Sequence, residues 1–353
     1  MRITVVGAGS WGTAMAAHLC RLGNQVTLWA REPEVVEGIN GSLRNPYFLS
    51  DIALPPGLRA EGEMRDALAG CELAVMAVPS RWTREVAREV GRYLPPGTPV
   101  LNLAKGFDYH TGSRLSVAIA EELGRPSGRE RVAVLSGPNH AEEVARLVPS
   151  ATVVASGDGE LARCLQEILS SDYFRVYTNP DVIGVEVGGA YKNVIAIAAG
   201  VLDGLGLGDN TKASLITRGL AEMARFGAAM GANPVTFSGL SGIGDLIVTC
   251  ISRHSRNRAF GERLGRGERA DDVLSESRMV VEGVYTTRMV TDMASGLGVE
   301  IPIAIGVRAV IEGRSKPSDV LRELMARRLK EETEERLFRD FLLRKESGGS
   351  PPA

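Results

Sequence analysis

The chain has 353 residues, 44% hydrophobic and 24% charged, with a formal net charge of -2. That length suits about two ordinary domains with sizeable cores, and the charge balance excludes the basic footprint of a nucleic-acid binder, so an anionic ligand must be held by local groups rather than by the overall field. Four cysteines (Cys20, Cys71, Cys164, Cys250) without a CxxC pair argue against a disulfide framework or a zinc site and fit a reducing compartment.

The chain opens Met-Arg-Ile-Thr-Val-Val-Gly, without the basic region, apolar stretch and small-residue cleavage site of a secretory signal. No run of ~18 uninterrupted apolar residues occurs. The expectation is a cytoplasmic protein with no membrane span. The nearest case, 193–202, reads as a buried helix. Short apolar runs recur at 3–6, 26–29, 73–78, 100–103, 132–135 and 152–155. Such runs suit strands of a parallel sheet buried on both faces. Helical patterns at 13–22, 81–93 and 115–123 alternate with them, as in a doubly wound α/β domain. A last strand is expected over 174–177, with Asn179-Pro180 as punctuation. Residues 185–340 read as helices joined by glycine-rich turns. The expected fold is an N-terminal Rossmann-type doubly wound α/β domain for a dinucleotide (1–180), an all-α C-terminal substrate and catalytic domain (181–345) and a disordered tail (346–353).

Residues 7–12 read Gly7-Ala8-Gly9-Ser10-Trp11-Gly12 between a strand and a helical pattern. In that setting Gly7 allows a tight turn, Gly9 lets the backbone approach a pyrophosphate, and Gly12 permits close helix–strand packing. The helix N-terminus then turns free N–H groups and a positive dipole end to the phosphates. Strict NAD binders carry an acidic residue at the end of the second strand. Here Ala30 stands there and Arg31 follows. Arg31 is either a partner for a 2′-phosphate, with NADPH used at least as well as NADH, or a solvated loop charge.

Residues 188–204 are apolar on nearly every face, as a central helix would be, apart from Lys192 and Asn193. A lysine there is either paired for chemistry or snorkelling from a helix end. Asp245 and Thr249 are four apart and share a helix face. Ser255-Arg256-Asn257 suits a phosphate, which accepts several directed hydrogen bonds, or is a simple capping segment. Lys105 and the segment 136–141 each follow a strand, at the end where ligands bind in open α/β sheets. Lys105 is thus a second candidate cation or a loop lysine. The four histidines form no metal-binding cluster, and no metal is expected. His18 and His110 are expected on the surface or in loops.

Together these segments resemble the bacterial NAD(P)-dependent glycerol-3-phosphate dehydrogenases. The likeness runs through GAGSWGTAMA (7–16), NLAKG (102–106), SGP (136–138), GAYKNVIAIAAG (189–200), TRGLAEM (217–223), GLSGIGDLIVTC (239–250), SRN (255–257) and VEG (281–283). It implies interconversion of dihydroxyacetone phosphate and sn-glycerol 3-phosphate with NADP or NAD, by a homodimer that supplies phospholipid synthesis. It implies Lys192 as acid/base, with Lys105, Asp245 and Thr249 around the reacting end of the substrate. Arg256 and Asn257 would hold the phosphate, with Ser255, Asn193, Gly137 and Asn139 also near substrate. Gly7, Gly9, Ser10, Trp11, Gly12, Arg31, Lys105, Ala141, Arg256, Val280 and Glu282 would line the dinucleotide. Where the family often has a hydroxyl residue and then an aromatic after SGP, this chain has Asn139-His140. His140 inherits no role.

Two rivals share parts of this pattern. A β-hydroxyacid-type dehydrogenase has a similar plan and lysine, but its substrates carry a carboxylate in place of the phosphate that Ser255-Arg256-Asn257 suits. A non-catalytic dinucleotide sensor would keep the glycine loop without needing Lys192 and Asp245.

Overall fold

The computed structural model describes residues 1–124, 131–276, 280–329 and 331–332. The tail expected over 346–353 lies outside them. Two compact units are present, Met1–Val182 and a second beginning at Ile183.

The first unit alternates strand and helix: β1 (Arg2–Val6), α1 (Ser10–Arg21), β2 (Gln25–Trp29), α2 (Pro33–Ser42), β3 (Arg59–Glu61), α3 (Met64–Ala67), β4 (Leu73–Met76), α4 (Ser80–Tyr93), β5 (Val100–Asn102), α5 (Leu115–Glu122), β6 (Val132–Ser136), α6 (Ala141–Ala145), β7 (Ser150–Ala155), α7 (Gly159–Leu169) and β8 (Phe174–Asn179). They form one eight-stranded sheet in the order β3-β2-β1-β4-β5-β6-β7-β8. The strand order reverses between β1 and β4, the place where ligands bind in doubly wound sheets. Strand alternation sends side chains to both faces. Ile3, Val5, Leu73 and Val75 enter a core with Met15, Leu19 and Leu165. Val6, Ala74 and Met76 enter another with Ala87, Val90 and Ile119. This two-sided burial is why the strands read as apolar runs. Arg84 ties α4 to α5 through Glu121 at 2.7 Å and Glu122 at 2.9 Å, and to the loop before α5 through Asp108 at 2.9 Å.

Three expectations need correction. The sheet is not wholly parallel, because β7 runs antiparallel to β6 while pairing in parallel with β8. β3 was not expected: it is a three-residue edge strand in which only Ala60 is buried, so no apolar run marks it. His18 is not on the surface but fully buried on α1. Its ring is held by Leu169 O and Tyr173 Oη, each at 2.7 Å, which meets the cost of burying it.

The second unit is helical throughout its described residues: α8 (Val182–Gly204), α9 (Asp209–Ala229), a 3-10 turn (Pro234–Ser238), a π-turn (Leu240–Gly244), α10 (Asp245–Ile251), α11 (Arg256–Gly265), α12 (Ala270–Glu276), α13 (Glu282–Leu297), α14 (Pro302–Ile311) and α15 (Pro317–Met325). α8 is long and apolar enough to cross a membrane, with a mean hydropathy of 1.3, yet 83% of that stretch is buried inside the protein. It is a core helix, buried continuously from Gly184 to Leu202. α8 and α11 touch backbone to backbone. A Cβ on Gly200 would lie 1.9 Å from Arg258 O, and one on Gly261 2.0 Å from Ile197 O. Only glycine allows that approach, and it presses the start of α11 against α8.

Candidate active-site residues

β1 ends in the glycine turn at the reversal of strand order. Gly7 adopts φ +111°, a region that favours glycine. A Cβ on Gly12 would lie 1.9 Å from Gly7 O, so α1 can start this close to β1 only with glycine there. The space at Gly9 is open, with nothing within 4 Å of where a Cβ would stand. Gly9 is also the N-cap of α1, so Ser10 and Trp11 open the helix with no side-chain cap at its end among the described residues. Trp11 Nε1 is buried with no hydrogen-bond partner among the described residues. Open backbone, uncapped N–H groups and an orphaned indole donor fit the pyrophosphate of a dinucleotide. Asn45 braces the turn: its Nδ2 donates to Ala8 O and Thr13 Oγ1, both at 2.9 Å. Arg31, 79% exposed, reaches its neighbour Glu32 at 2.8 Å.

On the loop after β5, Asn102 folds the turn by bonding both ways with the Ala104 backbone, each at 3.1 Å. Lys105 Nζ then donates to Gly137 O at 3.1 Å and Asn139 Oδ1 at 3.0 Å. Asn139 is itself fixed, its Nδ2 donating to Thr152 Oγ1 at 3.1 Å, and Thr152 donating to Ser136 O at 2.8 Å. The departure from the family pattern at 139 therefore puts an amide where it can orient a cation. Ala141 opens α6, buried.

In the second unit, α8 meets the π-turn before α10. A Cβ on Gly188 would fall 2.4 Å from Ser241 O, so the two backbones touch there. One turn further along each, Lys192 faces Asp245. Lys192 Nζ donates to Asp245 Oδ1 and, at 2.9 Å, to Thr249 Oγ1. Thr249 in turn donates to Asp245 O at 2.6 Å. Lys192 is only 6% exposed, so it is paired inside the unit rather than stretched to solvent. Asn193 Oδ1 accepts from Asn257 Nδ2, and Asn257 Oδ1 accepts from Gly283 N, both at 2.9 Å. Ser255 caps α11 by accepting from Arg258 N at 3.2 Å. Capping uses a lone pair of the hydroxyl, not its proton. Arg256 is exposed and donates to Val280 O at 3.3 Å, and Glu282 opens α13. Arg258 braces this corner through Asp203 at 2.6 Å and Glu262 at 3.1 Å.

Within the first unit the structure thus joins Lys105, Gly137 and Asn139. Within the second it joins Lys192, Asp245 and Thr249, then Asn193 with Asn257, and Arg256 with Val280. Sequence reasoning missed Asn45 and Thr152, single polar residues with no motif around them, and Arg258, which directly follows the Ser255-Arg256-Asn257 motif.

Two family descriptions match the chain: the N-terminal part of NAD-dependent glycerol-3-phosphate dehydrogenase over residues 2–162, and its C-terminal part over 181–322. A glycerol-3-phosphate dehydrogenase [NAD(P)+] of Salinibacter ruber is 48% identical, covering 94% of this chain and 96% of that one. One of Geobacillus thermodenitrificans is 47% identical over the same shares, 94% and 96%. The crystal structure of a glycerol-3-phosphate dehydrogenase from Coxiella burnetii superposes with a TM-score of 0.87 at 36% identity, covering 92% of this chain and 99% of that one. With both halves matched and relatives this close over nearly their full length, the chain belongs to the NAD-dependent glycerol-3-phosphate dehydrogenase family.

Proposed function

We propose that this chain interconverts dihydroxyacetone phosphate and sn-glycerol 3-phosphate with NADPH or NADH. The buried Lys192–Asp245–Thr249 constellation carries the reading. A bound nicotinamide supplies or accepts the hydride at C2. Lys192, as the ammonium, donates a proton to the oxygen on C2 in the reduction and takes it back in the oxidation. Such general acid catalysis is worth ~10²–10⁴-fold. Asp245 offsets the burial of that charge and, with Thr249, fixes its direction. Lys105, oriented by Gly137 and Asn139, offers a second cation to the substrate and cofactor. Arg256, Asn257 and the N-terminus of α11, capped by Ser255, take the phosphate, with Asn193 orienting Asn257.

Gly7, Gly9, Ser10, Trp11 and Gly12 would hold the dinucleotide, with Arg31 for a 2′-phosphate and Ala141 as further lining in the first unit; family likeness alone assigns Val280 and Glu282 to the cofactor as well. Family likeness supports the finer parts of the reading: a cytoplasmic homodimer that supplies glycerol 3-phosphate for phospholipid synthesis, with residues 1–180 serving the dinucleotide and 181–345 the substrate.

The test is oxidation of NADPH, then of NADH, by purified protein given dihydroxyacetone phosphate, with unphosphorylated dihydroxyacetone as control. Rapid oxidation only with the phosphorylated ketone is expected. No oxidation with either cofactor, despite measurable NADPH binding, discards this substrate.

A further inference from the structure

Three consecutive residues of α8 are each bonded to a different part of the second unit. Lys192 reaches Asp245 and Thr249 on α10. Asn193 accepts from Asn257 on α11, which also accepts from Gly283 on α13. Tyr191, fully buried, donates through its hydroxyl to Glu222 Oε1 on α9 at 2.8 Å. Glu222 is 1% exposed, and its two oxygens accept from Ile303 N and Ala304 N, both at 2.9 Å, in the first turn of α14.

Burial on every side from Gly184 to Leu202 does not by itself set the rotation of α8, because burial free energy follows area and has no direction. Close backbone contacts at Gly188 and Gly200 hold one face of the helix, and the polar side chains at 191–193 hold it at the reacting end. The hydrogen bonds do have direction. A side-chain tip about 5–6 Å from the axis moves about 1 Å when the helix turns by about 10°. A displacement of about 1 Å at a reacting group can cost ~10²-fold in rate.

We propose that Tyr191 and Glu222 are positioning residues for the reaction. Together with the first turn of α14 they form a fixed polar anchor that sets the rotation of α8, and thereby the place of the Lys192 ammonium one residue on. The inference rests on reading Lys192 as the acid/base. Neither residue touches substrate in this account. The ring of Tyr191 packs on Phe226 at 5.5 Å between centroids, so Tyr191→Phe keeps the packing and deletes only the hydroxyl.

The test compares steady-state kinetics of Tyr191→Phe and Glu222→Gln, each alone and in a Lys192→Ala background, with thermal unfolding of every variant. Tyr191→Phe is expected to lower kcat for dihydroxyacetone phosphate on the order of tenfold, with the KM for NADPH unchanged. Glu222→Gln keeps one oxygen but turns its NH2 toward a backbone N–H that the carboxylate accepts from, so it should show a loss of the same kind, at least as large. In the Lys192→Ala background either change should leave the residual rate within about twofold, since residues that act through one group are not additive. Undiminished kcat in both variants, whatever happens to the melting temperature, overturns the inference. So does an equal fractional loss in both backgrounds. Near-normal turnover of Lys192→Ala alone is a different failure, and sinks the reading of Lys192 itself.

Discussion

Lys192 on α8 and Asp245 on α10 form an ion pair whose side chains are 8% and 2% exposed. Both charges are out of water, so each depends on the other. Removing one partner of such a pair typically costs about 3–5 kcal/mol, because the survivor is left buried and unpaired. Lys192→Ala should therefore lower both turnover and melting temperature. Adding Asp245→Asn removes the stranded charge and should recover much of the melting temperature. Turnover should stay down by ~10²–10⁴-fold, while titration with NADPH gives an unchanged Kd. A double variant that regains activity along with stability would take proton transfer away from Lys192.

Arg256 separates binding from stability. It is exposed and donates to one backbone carbonyl, that of Val280, at 3.3 Å. Val280 is only partly buried, so removing Arg256 strands no fully buried residue at that contact. A charge-assisted hydrogen bond to a phosphate is worth about 1.5–3 kcal/mol, which corresponds to about ten- to a hundredfold in affinity. Arg256→Ala should raise the KM for dihydroxyacetone phosphate by a factor in that range, with the melting temperature unmoved. An unchanged KM argues against the phosphate assignment.

Arg31 tests the cofactor choice. Its pair with Glu32 joins side chains 79% and 36% exposed, and exposed pairs of this kind contribute about 0–1 kcal/mol. The guanidinium can therefore leave Glu32 for a stronger anion at little cost. Arg31→Ala should reduce kcat/KM for NADPH while leaving that for NADH nearly constant. If the ratio of the two does not move, Arg31 is a solvated loop charge.

Most of the first unit is legible because its strands are buried on both faces and so appear as apolar runs. β3 escapes because Arg59 and Glu61 flank its one buried residue, Ala60. The direction of β7 escapes for another reason. An apolar run has the same composition in either direction, and the connection decides. The connection to β7 carries only the five-residue α6, about 7.5 Å of helix, where parallel neighbours are usually joined by a full crossover helix. Here β7 pairs antiparallel to β6.

The candidate site divides similarly. A lone lysine in an apolar run marks 192, and spacing places Asp245 beside Thr249, but nothing local joins Lys192 to a residue 53 positions away. The Asn139–Thr152 bond and the Tyr191–Glu222 bond are also long-range, between residues that no motif pairs.

His18 gives the molecule a pH response outside the chemistry. A carbonyl oxygen can only accept, so Nε2 carries the proton toward Leu169 O, and in the neutral ring Nδ1 accepts from the Tyr173 hydroxyl. Burial pushes the imidazole below its ordinary value of 6.5; the bond to the Leu169 carbonyl opposes this, and nearby Arg21 adds to it. The folded pKa is therefore lower than the unfolded one. Between those two values the unfolded chain binds more protons, so stability rises with pH there. The contribution is fully present above the unfolded pKa and is lost as pH falls toward and through the folded value. Melting temperature measured from about pH 8 down to about pH 5 should fall more steeply for the wild type than for His18→Gln, which cannot take up the proton. A gap between the two that stays constant over that range would show that His18 is not the source of the acid sensitivity.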